Sequence, residues 1–367
     1  MKRLPLSALA DFLAERIPLE KLNVKHMITE KEVPVHRMSW GYYMGGLALF
    51  FFGIQVITGV MLLFYYEPTV SEAHESVEYI THFVTMGGLI RNLHAWSASF
   101  MIFCVIVHML SALAMKAFAK PREITWVAGV LLVLITFGFG FTGYLLPWNQ
   151  IAVNATKVGL ASIDQVGQYL PAALSHLAED VRVTIQGAPA IGQATLSRFF
   201  ALHVVILPLL VFAVIGLHVL SVQLHGMSPG IEGKPKRKEK FFPVFVLKDF
   251  KEWGIAFLVL FTLALCLPFD SLFPYPLLEP YNALGSTPDG IKPEWYFYFI
   301  YYPMELLPFW VIIVVMTIAT IGLFAAPWIF KDTSHRTMRW IASAIAAYMV
   351  VMTLFGEQIY HAIKGAQ

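Results

Sequence analysis

Four histidines lie inside long apolar stretches, His94 and His108 in one and His203 and His218 in another. The other eight of the twelve fall in loops or at predicted helix ends. An α-helix rises about 1.5 Å and turns about 100° per residue. The step from His94 to His108 therefore covers roughly 21 Å and returns to within about 40° of the same face. The step from His203 to His218, one residue longer, covers about 22 Å and misses its face by roughly 60°. Two such helices lying antiparallel bring His94 opposite His203 at one depth and His108 opposite His218 at the other. That is the geometry for two stacked haems, each iron held by one imidazole from either helix. A single intramembrane histidine is often only a packing residue. Four at near-equal spacing on two helices call for a shared ligand.

The elements that carry these residues must cross a membrane. Hydrophobic residues make up 57% of the 367-residue chain and charged residues 14%, against about 25% charged in soluble domains. Runs longer than the roughly 20 residues needed to span a bilayer predict seven helices, near 40–65, 91–117, 124–146, 199–223, 253–270, 299–328 and 338–360. Twenty of the 26 Lys and Arg residues sit in the N-terminus to Arg37, Lys116–Arg122, Lys234–Lys251 and Lys331–Arg339. The positive-inside rule places those segments on the cytoplasmic side, the N-terminus with them. Arg3–Leu22 is amphipathic and is expected to lie on that surface. Cys104 and Cys266 form no C-x-x-C-H, so the expected haems are non-covalent, of b type.

Glycine lets a neighbouring backbone approach a sandwiched cofactor closely. Gly45 and Gly59 in the first span are fourteen residues apart, as are Gly129 and Gly143 in the third, repeating the His94–His108 interval. Arg91, one turn before His94, is expected to pair with a haem propionate.

Several motifs carry a family resemblance: Glu67-Pro68-Thr69-Val70, Leu89-Ile90-Arg91, Trp96-Ser97-Ala98-Ser99, Lys120-Pro121-Arg122-Glu123, Gly143-Tyr144-Leu145-Leu146-Pro147-Trp148 and Pro293-Glu294-Trp295-Tyr296. With the four histidines they make the chain resemble the cytochrome b/b6 family of cytochrome bc complexes. The first half resembles the chloroplast-type protein, and Lys234–Lys240 falls where that protein is split into two polypeptides. The resemblance implies an all-α polytopic bundle with a four-helix di-haem core at 40–230. It follows an N-terminal cytoplasmic segment (1–39) and precedes a basic linker (231–252) and a three-helix C-terminal region (253–367).

The implied function is that of the di-haem subunit of a quinol:cytochrome c-type oxidoreductase. Quinol is oxidised at an outer site beside the His94/His203 haem, and electrons pass through the His108/His218 haem to quinone at the cytoplasmic side, with proton translocation. Glu294 would accept the quinol proton, with Tyr296 beside it and Tyr144, Pro293, Trp295 and Tyr301 lining the pocket. His225, Lys248 and Asp249 would serve the inner quinone. Implied partners are a Rieske iron–sulfur protein, a c-type cytochrome that multihaem forms could replace, and the quinone pool, in a dimeric complex of a prokaryotic cytoplasmic membrane. No nucleic-acid partner is expected.

Departures from the family pattern are also visible. Tyr43 or a neighbour stands where the chloroplast-type protein has a haem-tethering cysteine. Ala95, Gln223, Leu224 and Glu305 replace basic residues. Two other readings remain: a di-haem anchor linking quinone to a dehydrogenase without bifurcation, and a transporter with a histidine proton relay.

Overall fold

The computed structural model describes residues 11–12, 14–16, 30–169, 171, 175–230, 237–272, 278–288 and 291–365. Most of the predicted amphipathic segment Arg3–Leu22 therefore lies outside the described residues. The architecture is all-α. In chain order it runs β1 (Glu32–Val35), α1 (Trp40–Leu63), α2 (Ala73–His82), α3 (Gly87–Ala114), α4 (Glu123–Tyr144), α5 (Gln150–Gly167), α6 (His176–Gln186) and α7 (Gln193–Ala201). A π-helical turn (Leu202–Ile206) then joins α7 to α8 (Leu207–His225). After it come β2 (Arg237–Lys240), α9 (Val246–Cys266), α10 (Tyr298–Leu306), α11 (Phe309–Ile329) and α12 (His335–Lys364).

Among the described residues six helices are long and apolar enough to cross a membrane: α1, α3, α4, the continuous 33-residue Gln193–His225, α11 and α12. The expected span at 253–270 is not among them. Its helix, α9, starts earlier, and Lys248, Asp249, Lys251 and Glu252 occupy its first two turns. It nevertheless runs the depth of the bundle beside α3. Asp249 at one end lies against Gly46, while at the other Asn92 donates to Ala264 O at 3.1 Å and Trp96 Nε1 to Leu267 O at 2.9 Å. The expected span at 299–328 is broken into α10 and α11. Pro308 has no amide proton and forces Leu307 into an extended conformation, which ends α10.

Large apolar side chains face outward along the crossing helices, among them Leu209 (67% exposed), Ile318 (65%) and Ile57 (60%). A contiguous surface of this kind suits lipid rather than water. The interior is held by clusters between helices. Phe118, Trp126, Val130, Ala326 and Met338 join α4 to α11 and α12, and Trp126 Nε1 donates to Leu323 O at 2.6 Å. α1 packs along α3 and α8 along α4, so the two histidine-bearing helices, α3 and the continuous Gln193–His225 with His203 in its π turn, are each backed by a glycine-bearing one. β1 and β2 form a two-stranded antiparallel ribbon, in register from Glu32↔Lys240 to Val35↔Arg237.

Candidate functional site

The four histidines meet in the predicted pairs. The ring centroids of His94 and His203 are 6.4 Å apart, and those of His108 and His218 are also 6.4 Å apart. Two metal–imidazole bonds of about 2 Å each, plus the roughly 1.1 Å from ring nitrogen to ring centre, span about the same distance. One iron fits between each pair.

Each ring is fixed through Nδ1. Thr58 Oγ1 lies 2.9 Å from His94 Nδ1 and gives its own proton to Ile54 O at 2.6 Å. Thr142 Oγ1 lies 3.2 Å from His203 Nδ1 and donates to Gly138 O at 2.8 Å. In the other pair, His108 Nδ1 lies 3.3 Å from Gly41 O and His218 Nδ1 lies 2.8 Å from Thr125 O. All four partners are acceptors towards the ring, so every Nδ1 carries the proton and every Nε2 presents a lone pair. Neutral imidazoles oriented this way are the ligands a haem iron takes. Each pair supplies only two donors, which suits a macrocycle that brings the rest; no cluster of three or more metal-binding side chains exists among the described residues.

Behind each ring stands one predicted glycine. A Cβ at Gly45 would lie 2.9 Å from His108 Cε1, at Gly59 3.4 Å from His94, at Gly129 3.2 Å from His218 and at Gly143 2.5 Å from His203. The glycines thus admit the imidazoles themselves to the helix surface. The π turn explains the uneven histidine spacing. It holds one residue more than an α turn of the same rotation, so the longer His203–His218 step closes onto one face.

Glu294 precedes a short turn (Trp295–Phe297) leading into α10. Trp295 Nε1 approaches Ser99 Oγ of α3 at 3.5 Å, and Tyr296 packs on α4, its hydroxyl 2.8 Å from where a Cβ of Gly140 would stand. Tyr144 donates to Lys292 O and Tyr301 to Ile291 O, both at 3.4 Å, flanking the partly buried Pro293. These residues gather at the His94/His203 end, since Tyr144 directly follows Gly143. Burial pushes the Glu294 carboxyl up to about 7. It also raises the Tyr296 phenol, and the Glu294 charge adds to that rise. α5, after Pro147, walls this end with buried Ile151, Val153 and Leu160.

At the opposite end a cavity of about 370 Å³ is lined by His108, His218, Tyr42, Arg122, Phe241 and Asp249. Asp249 Oδ1 is buried there without a hydrogen-bond partner among the described residues. The two residues expected beside it are elsewhere. Lys248 Nζ pairs with Glu239 Oε2 at 2.5 Å, because β2 passes alongside the start of α9. His225 Nε2 donates to Arg16 O at 2.8 Å, on the N-terminal segment. Arg91, expected on a propionate, is held by both oxygens of Asp270, which the short turn Phe269–Leu272 after α9 delivers to it.

Sequence reasoning missed Thr58, Thr142, Arg122 and Lys31. The repeated dipeptides Thr58-Gly59 and Thr142-Gly143 were the available signal for the threonines. Lys31 Nζ donates to Gln223 Oε1 and to Val222 O at 3.4 Å, over the Phe241 ring, and burial lowers its pKa to about 8. A cation from the N-terminal segment thus stands beside Gln223, where the family pattern has a basic residue nearby.

The chain is similar to known proteins along both of its halves. The family described as "Cytochrome b/b6/petB" matches residues 28–226, and "Cytochrome b(C-terminal)/b6/petD" matches residues 281–364. A "Cytochrome bc complex cytochrome b subunit" of Chlorobaculum thiosulfatiphilum is 46% identical over 275 residues, 74% of this chain and 61% of that protein, so the chain spans about three fifths of that relative's length. "Cytochrome b6" of Porphyra purpurea is 40% identical over 223 residues, 61% of this chain and 99% of that one. Among solved structures, a chain of "Hyperthermophilic respiratory Complex III" superposes with a TM-score of 0.75 at 25% identity, covering 96% of this chain and 99% of the other. With both halves matched and the paired histidines in place, the chain belongs to the cytochrome b/b6 family.

Proposed function

We propose that this protein is the di-haem, quinone-handling subunit of a bc-type complex in a prokaryotic cytoplasmic membrane, with its N-terminus and the His108/His218 end on the cytoplasmic side. The observation that carries the reading is the set of four neutral imidazoles, paired at two depths with every Nδ1 occupied. His94 with His203 and His108 with His218 would each hold one b-type haem. Bound there, the haems supply one-electron transfer across the membrane.

The side chains supply position and proton handling. Glu294 is partly buried at the outer end, and a carboxyl ionising near 7 suits a base that takes a proton from quinol and returns it to water. Tyr296, Tyr144, Trp295, Pro293 and Tyr301 gather around it and would line a quinol site there. At the inner end Asp249 faces the cavity and suits a proton donor to reduced quinone, while Arg122 offers the cavity a cation for an acidic substituent. Lys248 and His225, bonded elsewhere, have no such role in this reading. A Rieske iron–sulfur protein and a c-type cytochrome, in a dimeric assembly, would complete the electron path.

The test is purification of the membrane complex, its visible spectrum and its subunit inventory. Two low-spin b haems, a Rieske subunit and quinol-dependent reduction of a c-type cytochrome are expected. A haem-free protein overturns the reading, and a large dehydrogenase in place of the Rieske subunit replaces bifurcation with simple anchoring.

A further inference from the structure

We propose that Glu357 of α12 holds the Lys292 ammonium away from Glu294, and so sets the pH range in which that carboxylate works as a base. The proposal rests on reading Glu294 as the outer-site proton acceptor. It makes Glu357 a positioning residue, which acts through Lys292 and does not touch quinol.

Lys292 is the cation nearest to Glu294 along the chain. Pro293 stands between them with its φ fixed at about −65°, and the residue before a proline is confined to extended conformations. Glu294 continues extended, at φ −61° and ψ 151°. The Cα atoms of Lys292 and Glu294 are therefore about 6 to 7 Å apart. The flexible four-carbon stem of a lysine can close such a gap, and an ammonium against the Glu294 carboxylate would favour its charged form. That contact is pre-empted. Lys292 Nζ turns to α12 and pairs with Glu357 Oε1 at 2.6 Å. Burial is left to act on Glu294, and it raises the carboxyl to about 7.

The packing of α12 fixes where Glu357 stands. Its neighbour Gly356 is buried, and the Tyr302 ring of α10 occupies the space that a Cβ there would fill. α12 thus meets α10 by bare backbone at this turn, which brings the next side chain to the loop. The loop is gripped by its carbonyls as well: Tyr144 of α4 donates to Lys292 O and Tyr301 of α10 to Ile291 O, both at 3.4 Å. With its backbone held, Lys292 has two carboxylates within reach and takes Glu357. The other titratable groups that feel the Glu294 charge are Tyr144, Tyr296 and Tyr298, phenols that are uncharged near pH 7. Tyr298 faces Glu357 too, and the exposed His361, one turn further along α12, approaches Glu357 Oε1 at 3.9 Å.

The test is a set of variants in the intact complex, with quinol oxidation followed across pH and haem content read from spectra. Glu357→Gln keeps the shape and removes the charge. Lys292 is then free to pair with Glu294, whose pKa falls, so the base stays ionised to lower pH. The step in rate should move down by about one unit or more, with haem spectra unchanged. Adding Lys292→Met to Glu357→Gln removes both charges and should return the step to near 7. Charges on the haems are common to all variants and cancel from the comparison. A Glu357→Gln step that stays at the wild-type pH overturns the proposal, as does a double variant whose step stays low. Glu294→Gln separates this outcome from the reading beneath it. If that variant keeps the wild-type pH profile, Glu294 is not the base and both fall; if it abolishes the step while Glu357→Gln leaves it in place, only the role of Glu357 falls.

Discussion

Gly143 and His203 approach so closely that a methyl group on the glycine would stand 2.5 Å from the ring's Cε1, whereas at Gly59 it would stand 3.4 Å from His94. The two glycines do the same job at one depth with unequal clearance. Gly143→Ala must push the imidazole off its helix, so loss of the outer haem is expected. Gly59→Ala makes ordinary contact and should retain it. Haem content per polypeptide, read from the reduced-minus-oxidised spectrum, checks the ranking; equal retention in both would contradict it.

Thr58 accepts the His94 Nδ1 proton because its own hydroxyl proton is committed to Ile54 O. Thr58→Val preserves shape and leaves that N–H unpartnered. A roughly 10- to 100-fold weaker hold on the outer haem follows from the usual cost of losing a metal ligand's orienting partner. Redox titration should show the outer centre shifted and the inner one unmoved.

The π turn at Leu202–Ile206 makes an unusual deletion tolerable. Removing Val205 should convert the turn to regular α-helix and leave His203 and His218 on one face, with both haems bound. Removing Val105 from α3, which has no such turn, rotates His94 about 100° away from His108, and one haem should be lost. Spectra of the two deletion variants decide the matter.

Glu294 must be ionised to act as a base. Burial raises its pKa to about 7, so quinol oxidation should rise as pH increases through 7 and fall as the carboxyl becomes protonated below it. Glu294→Gln should lower the rate roughly ten- to a thousandfold, around typical general-base contributions, and abolish this pH step while haem content stays intact. Steady-state turnover across pH 5.5–8.5, a range of about 1.5 units on either side of that pKa, measures both effects.

The histidine pairs and their glycines were legible because helical periodicity converts sequence interval into depth and face. Even the awkward His203–His218 interval was visible, although its remedy, one extra residue in a π turn, leaves no local signature. What periodicity does not encode is which partner a charged side chain takes. Arg91 reads as a free cation near a haem until the turn after α9 delivers Asp270, 179 residues away in sequence. Lys248 and Asp249 are neighbours in sequence, yet on a helix adjacent residues point about 100° apart. One finds Glu239 and the other the cavity. The charged start of α9 likewise hid where it begins, since hydropathy weighs those residues against a helix that the contacts at Asp249, Ala264 and Leu267 show running along α1 and α3.

The ribbon of β1 and β2 staples the segment ahead of the first crossing to the segment that opens the second half of the chain, reinforced by Lys238 on Glu32 at 2.8 Å. α9 then lies against α1 and α3, and α12 against α3. These contacts join the two halves independently of the basic linker. Two separately translated fragments, broken within 231–236, are therefore expected to assemble and bind haem as the intact chain does, and fusion into one polypeptide would then fix their stoichiometry rather than their architecture.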